Sequence, residues 1–218
     1  MKRRKFSGLL ALGAGAMSVR KLSAGEAAKD ETAQAAAPDS EVRAVCVKDY
    51  KELARDTACY VMGGLAIARS GGKPTNDALL INPEGKRVGH YSKIQPFNMD
   101  KEGENYEAGN DIQCFELPGG LRLCPFICYD LRFPELFRKA MMMENPPHIF
   151  TVIASWPNMR THHWTKLLEA RAIENLAYVI GVNRCGSDPF LEYDGASLII
   201  DPHGNHLTMA GSEEAVVS

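Results

Sequence analysis

The sequence predicts a mixed α/β domain, and three observations carry that expectation. Two apolar runs, LRLCPFIC (121–128) and HIFTVIASW (148–156), have the length and composition of buried strands. Each is followed by a segment with apolar residues at helical spacing, RFPELFRKAMM (132–142) and THHWTKLLEARAIENLA (161–177). Two look-alike hairpins, DALLINPEGKRVGHYSK (77–93) and GASLIIDPHGNHLTMAG (195–211), stand about 120 positions apart and suggest related halves. Strands alternating with helices and hairpins belong to mixed α/β architecture.

The elements follow in order. VKDYKELARDTACYVMGGLAIA (47–68) reads as a short amphipathic helix around Tyr50, Leu53 and Ala54, then a buried strand ending near Ala68. In the first hairpin, Asn82-Pro83-Glu84-Gly85 supplies the residue types a type I turn favours, and Asp201-Pro202-His203-Gly204 repeats that grammar in the second. YVIGVNRCG (178–186) is a further strand. Pro125 removes a ladder donor three residues before Cys128 and suggests a bulge.

The formal charge of −2 is unevenly spread. Residues 1–21 hold six Lys or Arg and no acid, leaving 19 basic against 27 acidic residues, or −8, for the rest. A body that acidic, without a basic patch interleaved with aromatics, has no electrostatic reason to hold phosphate backbones, so no nucleic-acid partner is expected. Residues 1–30 read as a twin-arginine-type export signal, from Arg3-Arg4 followed by Lys5-Phe6 and a modest Ala-Gly-Leu stretch. The apolar stretch from Phe6 to Val19 is shorter than the ~20 residues a bilayer needs, so no stable membrane span is expected. This implies a periplasmic or extracytoplasmic protein, with the cytoplasm as the alternative. Residues 31–41 read as a linker and 42–218 as a partial domain.

Chemistry points to CPFICYDLRFPELFR (124–138), where Cys128 ends an apolar strand and precedes a helix. Free amides and the positive end of a helix dipole there would favour thiolate and donate to an oxyanion. A buried, inert thiol is the competing reading. Six cysteines permit disulfides, but no spacing proves a pair. His162-His163 has no Cys or carboxylate at ligand spacing, so no metal is expected; Thr161 reads as the helix cap, with one histidine facing a pocket rim or solvent. Arg171 and Glu174 read as an i,i+3 ion pair. No motif implies a cofactor.

CYDLRFPE (128–135) resembles the nucleophile signature of the nitrilase superfamily, the carbon-nitrogen hydrolases, and within it the omega-amidase-like branch. GHYSKIQPF (89–97), KEGENYEAGND (101–111) and the block 155–188 are similar to the family's other motifs, in the expected order over about 42–218. The resemblance implies an α-β-β-α sandwich, incomplete here, assembled as a homodimer or larger, and hydrolysis of an amide. Carried over by position, Cys128 matches the nucleophile, Lys93 the lysine that stabilises the oxyanion, and Glu102 the second glutamate, with Glu104 its nearby alternative. Tyr129, Arg132 and Trp156 would line a pocket for a small carboxylated amide.

The first glutamate, the general base, is not found. Pro38-Asp39-Ser40-Glu41 follows a polar stretch where a buried strand belongs, and AGSEEAVVS (210–218) stops partway through an expected closing strand. A catalytically impaired partner or a truncated product is therefore the alternative function.

Overall fold

The computed structural model describes residues 9–13, 16–19 and 45–216. Two sheets face each other with helices on their outer surfaces, the α-β-β-α sandwich the motifs imply. The first sheet is antiparallel throughout, in the order β2-β1-β3-β4-β5. Its members include β3 (Tyr60–Ile67), β4 (Thr75–Ile81) and, at the edge, β5 (Arg87–Ser92). Side chains alternate across β3 and β4, as the two-residue strand period requires. Val61, Leu65, Leu79 and Ile81 face Tyr50 and Ala54 of helix α1 (Val45–Thr57), while Met62, Ala78 and Leu80 face the second sheet.

The second sheet has the order β13-β12-β9-β8-β7-β6. Parallel strands β7 (Arg122–Ile127), β8 (Ile149–Ala154) and β9 (Tyr178–Asn183) form its centre, flanked by antiparallel β6 (Phe115–Glu116), β12 (Leu198–Ile200) and β13 (His206–Met209). Parallel neighbours need long crossovers, and these contain α3 (Pro134–Met141) and α4 (Thr161–Asn175). Trp164, Leu168 and Ala172 of α4 are buried against the sheet. Gly181 makes that approach possible, since a Cβ there would stand 2.4 Å from Leu168. A short ribbon, β10 (Cys185–Ser187) with β11 (Glu192–Asp194), lies outside both sheets.

Both hairpins close as expected. The Gly85 N–H donates to Asn82 O at 2.8 Å, the Gly204 N–H to Asp201 O at 3.0 Å, and each glycine has positive φ.

Two expectations need correction, at Pro125 and at Thr161. Within the segment read as an export signal, Leu9–Gly13 forms strand β1 and Ala16–Val19 strand β2, with β1 paired to β3. Arg3-Arg4, the linker 31–41 and Pro38-Asp39-Ser40-Glu41 lie outside the described residues. Pro125 produces no bulge, because β7 and β8 pair in unbroken register from Leu123 to Ile127. Leu123 pairs with Phe115 on β6, so Pro125, two residues on, turns the side lacking a donor past the end of that short strand. Thr161 does not cap α4; it is the first helical residue, and its hydroxyl lies 2.9 Å from both Asn158 O and Asp194 Oδ2, which share its one proton.

Candidate active site

The ends of β5 and β7, on facing sheets, bring Lys93 and Cys128 to one crevice. Lys93 follows β5 and is 3% exposed, with its N–H donating to Asn76 O and its carbonyl accepting from Gly109 N–H. Its ammonium donates to Glu102 Oε2 at 2.5 Å. Glu102 opens the single-turn helix α2 (Glu102–Asn105). Its Oε2 also accepts from Phe97 N–H at 2.7 Å, and its Oε1 from Asn76 Nδ2 at 2.8 Å. Asn76, itself 2% exposed, thus fixes Lys93 through its backbone and Glu102 through its side chain. Glu104 is exposed and pairs with Lys101 at 3.7 Å, so of the two acids it is Glu102 that meets Lys93.

Cys128 is half-buried and has φ +48°, in the left-handed region that costs a residue with a Cβ about 1–2 kcal/mol. It opens a 3₁₀ turn, Cys128–Arg132, not the first turn of α3, which begins six residues later at Pro134. The expected help from a helix dipole is correspondingly absent. Burial pushes the thiol pKa up; the Lys93 charge and the Ser155 N–H pull it down, while Glu102 and Asp130 raise it, and the balance is upward. At neutral pH the thiol form dominates, so a proton must leave before the sulfur attacks.

Asp130, which no sequence motif singled out, organises the turn. Its carboxylate is fully buried and accepts from Ile127 N–H (2.9 Å), Gln95 N–H (2.8 Å) and Tyr91 OH (2.7 Å). Burial raises its pKa to about 6 against those donors and the Lys93 charge. Asp130 therefore ties the end of β7 to the end of β5, which is why Lys93 and Cys128 converge. The signal for it was a carboxylate two residues after the nucleophile; the signal for Asn76 was a polar residue inside an all-buried strand.

The rim is aromatic and cationic. The Tyr129 ring packs edge-on against Phe97 and Phe133, at 4.9 and 5.3 Å between centroids. Arg132 stacks over Trp156 at 5.0 Å and lies 3.1 Å from His163 Nδ1. Arg160 stacks over Phe97 at 5.6 Å. Partial desolvation and then the charges of His162, Arg132 and Arg160 lower the His163 pKa. Among the described residues neither Arg132 nor Arg160 has a carboxylate partner. Trp156 is 3% exposed and spends its indole N–H on Arg160 O, so it supplies a wall and no hydrogen bond. Arg171 and Glu174 pair at 2.8 Å, as expected. Among the described residues no group of three or more His, Cys, Asp or Glu is placed to hold a metal, and no helix is long and apolar enough to cross a membrane.

A sandwich of this type, with a cysteine, a lysine and a glutamate brought together between its sheets, is the arrangement the motifs imply for a carbon-nitrogen hydrolase. The family model described as carbon-nitrogen hydrolase matches residues 21–218, and the chain belongs to that family. It is 36% identical over 167 residues to the 2-oxoglutaramate amidase of Bacillus subtilis, covering 77% of this chain and 63% of that protein. It is 39% identical over 163 residues to the omega-amidase YafV of Escherichia coli K12, covering 74% and 61%. The chain thus spans less than two thirds of the length of these relatives. Among solved structures, XC1258 of Xanthomonas campestris, a CN-hydrolase superfamily protein with an arsenic adduct in its active site, superposes with a TM-score of 0.75 at 33% identity, covering 81% of this chain and 68% of that one. The amidase of Nesterenkonia sp. AN1, solved as a mutant with acrylamide added at the active-site cysteine, superposes with a TM-score of 0.71 at 26% identity over 78% and 66% of the two chains.

Proposed function

We propose that the chain hydrolyses the amide bond of a small carboxylate-bearing amide through a thioacyl intermediate on Cys128, releasing ammonia. The observation that carries this reading is the buried Lys93–Glu102 pair beside a cysteine held in a left-handed turn. The sulfur, once deprotonated, attacks the amide carbon. The carbonyl oxygen becomes an oxyanion that the Lys93 ammonium and the Tyr129 N–H stabilise, a contribution of about 3–4 kcal/mol per donor in comparable sites. Collapse breaks the C–N bond as the nitrogen takes a proton and leaves as ammonia. Water then cleaves the thioester, giving a carboxylic acid and the free thiol. Glu102 holds Lys93 in place and serves as a local proton acceptor.

The substrate reading rests on Arg132, whose guanidinium has no carboxylate partner among the described residues, set beside the aromatic walls of Tyr129 and Trp156. A carboxylate at the far end of the substrate would supply that partner. The names of the amidase relatives agree with this class. Export by the basic amino-terminal segment and assembly as a homodimer or larger belong to the same proposal.

A second reading has its own observation. The two carboxylates that weigh most on Cys128 are both committed, Glu102 to three donors and Asp130 to three others. Without a free base, turnover falls by about 100- to 10,000-fold, and the chain acts as a nitrilase-fold partner of a complete homologue. The test is ammonia release from an omega-amide of a dicarboxylic acid, with the intact mass followed for an acyl adduct. Turnover and an adduct lost together in Cys128→Ser support the amidase. A folded protein with neither supports the partner.

A further inference from the structure

We infer that Cys114 and Cys124 form an oxidisable cross-strand dithiol, closed to a disulfide by exchange with a small-molecule disulfide. Strands β6 and β7 pair Phe115 with Leu123 and Glu116 with Arg122, so one step further along the ladder Cys114 faces Cys124. The hydrogen-bond phase fixes what kind of pair this is. The Leu117 N–H donates to Leu121 O at 2.7 Å, which makes 117 and 121 a hydrogen-bonded pair. Alternation then makes 114 and 124 a non-hydrogen-bonded pair, whose Cα atoms stand about 4.5 Å apart with side chains on the same face. That separation falls at the short end of the range a disulfide spans, roughly 4.4–6.8 Å.

The two thiols also differ in the way an exchange needs. Cys114 is half-buried and reachable; Cys124 is fully buried. The Cys124 thiol lowers the Cys114 pKa, with help from the Arg122 charge and against burial, whereas burial and Cys114 raise that of Cys124. Cys114 is therefore the attacking group and Cys124 the resolving one. The thiol of Cys114 rests 3.6 Å from Met143 Sδ, a soft and displaceable neighbour.

In the first step the Cys114 thiolate attacks one sulfur of oxidised glutathione, forming a mixed disulfide and expelling one glutathione thiolate. In the second, the Cys124 thiolate attacks the Cys114 sulfur and expels the other. Two protein thiols are oxidised and one glutathione disulfide is reduced to two thiols, the two protons lost by Cys114 and Cys124 ending on the expelled glutathione thiolates. The product staples β6 to β7, which leads directly to Cys128.

The test incubates the full chain with oxidised glutathione, blocks free thiols with iodoacetamide and maps the digest without reduction. Cys124 and Cys128 share the tryptic peptide 123–132, so the mapping uses the Cys128→Ser chain, which leaves one candidate sulfur there. Expected is a cross-linked pair of peptides, 102–122 with 123–132, two hydrogens lighter than their sum, released by dithiothreitol and missing in the Cys114→Ser, Cys128→Ser double variant. A folded chain that yields Cys114 carrying glutathione, or alkylated, with Cys124 alkylated as well overturns the proposal. None of these outcomes depends on amidase activity.

Discussion

Lys93 Nζ and Glu102 Oε2 stand 2.5 Å apart with side chains only 4% and 10% exposed, so they form a desolvated ion pair. A pair of this kind is costly to break from one side, because the remaining charge stays buried without its partner. Glu102→Ala is expected to lower stability by about 3–5 kcal/mol in urea unfolding. The double variant Lys93→Met, Glu102→Leu should recover most of that loss while abolishing any turnover. A single variant as stable as the parent would mean the pair is solvated.

Asn76 links both members of that pair. In Asn76→Ala the Lys93 backbone keeps its acceptor, since the Asn76 carbonyl is untouched, but Glu102 Oε1 loses a donor. A hydrogen bond to a charged group is worth about 1.5–3 kcal/mol, and that is the expected loss of stability. Asn76→Asp should cost more, since it sets a second carboxylate against Glu102. Equal melting temperatures for the two variants would overturn this ordering.

Cys128 gives a kinetic readout that needs no substrate. Burial outweighs Lys93 and leaves its pKa raised, so the thiolate is the minor form at neutral pH. The rate of alkylation by iodoacetamide should climb about tenfold per pH unit through neutrality without levelling before pH 9. In Lys93→Met the thiolate loses the cation that lowers its pKa and the curve should move to still higher pH. A plateau below pH 8 in the parent would contradict the electrostatic account.

These expectations also mark what the sequence made legible. Periodicity located α1, α4 and every central strand, since each buries one continuous face or a whole apolar run. The two turns were legible because Asn-Pro-Glu-Gly and Asp-Pro-His-Gly leave the backbone little choice. Motif resemblance supplied Lys93, Glu102 and Cys128. Asp130 and Asn76 escaped because their importance lies in partners distant in sequence, Tyr91 and Gln95 for one and Glu102 for the other. The helix-dipole argument for Cys128 failed because a 3₁₀ turn of five residues intervenes before α3. Composition alone also gave no hint that residues 9–13 would pair with β3 and residues 16–19 with 9–13, since a Gly- and Ala-rich stretch carries little strand propensity.

Arg132 separates a substrate role from a structural one. Its guanidinium lies against Trp156 and His163 and has no carboxylate partner among the described residues. Arg132→Met, which keeps the stem over the indole, should raise KM for an omega-amide bearing a carboxylate by about 10-fold or more, as expected for one charge-assisted bond. For a neutral amide of the same length KM should be unchanged. Equal effects on both amides would make Arg132 a packing residue.

Asp130 couples the site to pH through folding. Its pKa is about 6 in the folded chain against 3.8 for a free carboxyl, chiefly because it is buried. A raised folded pKa means that the native state holds the proton more tightly than the unfolded chain. The resulting stabilisation is complete below about pH 4 and disappears as pH rises through 6. Asp130→Asn cannot titrate and leaves one of the two backbone N–H donors facing an amide NH₂, so it should be less stable by about 1–3 kcal/mol at pH 7.5. Between pH 7.5 and pH 5 the advantage of the parent over Asp130→Asn should grow by about 1–1.5 kcal/mol, read from urea midpoints at matched ionic strength. An advantage that stays flat or shrinks on acidification would show that the three donors, and not burial, set the ionisation of this carboxylate.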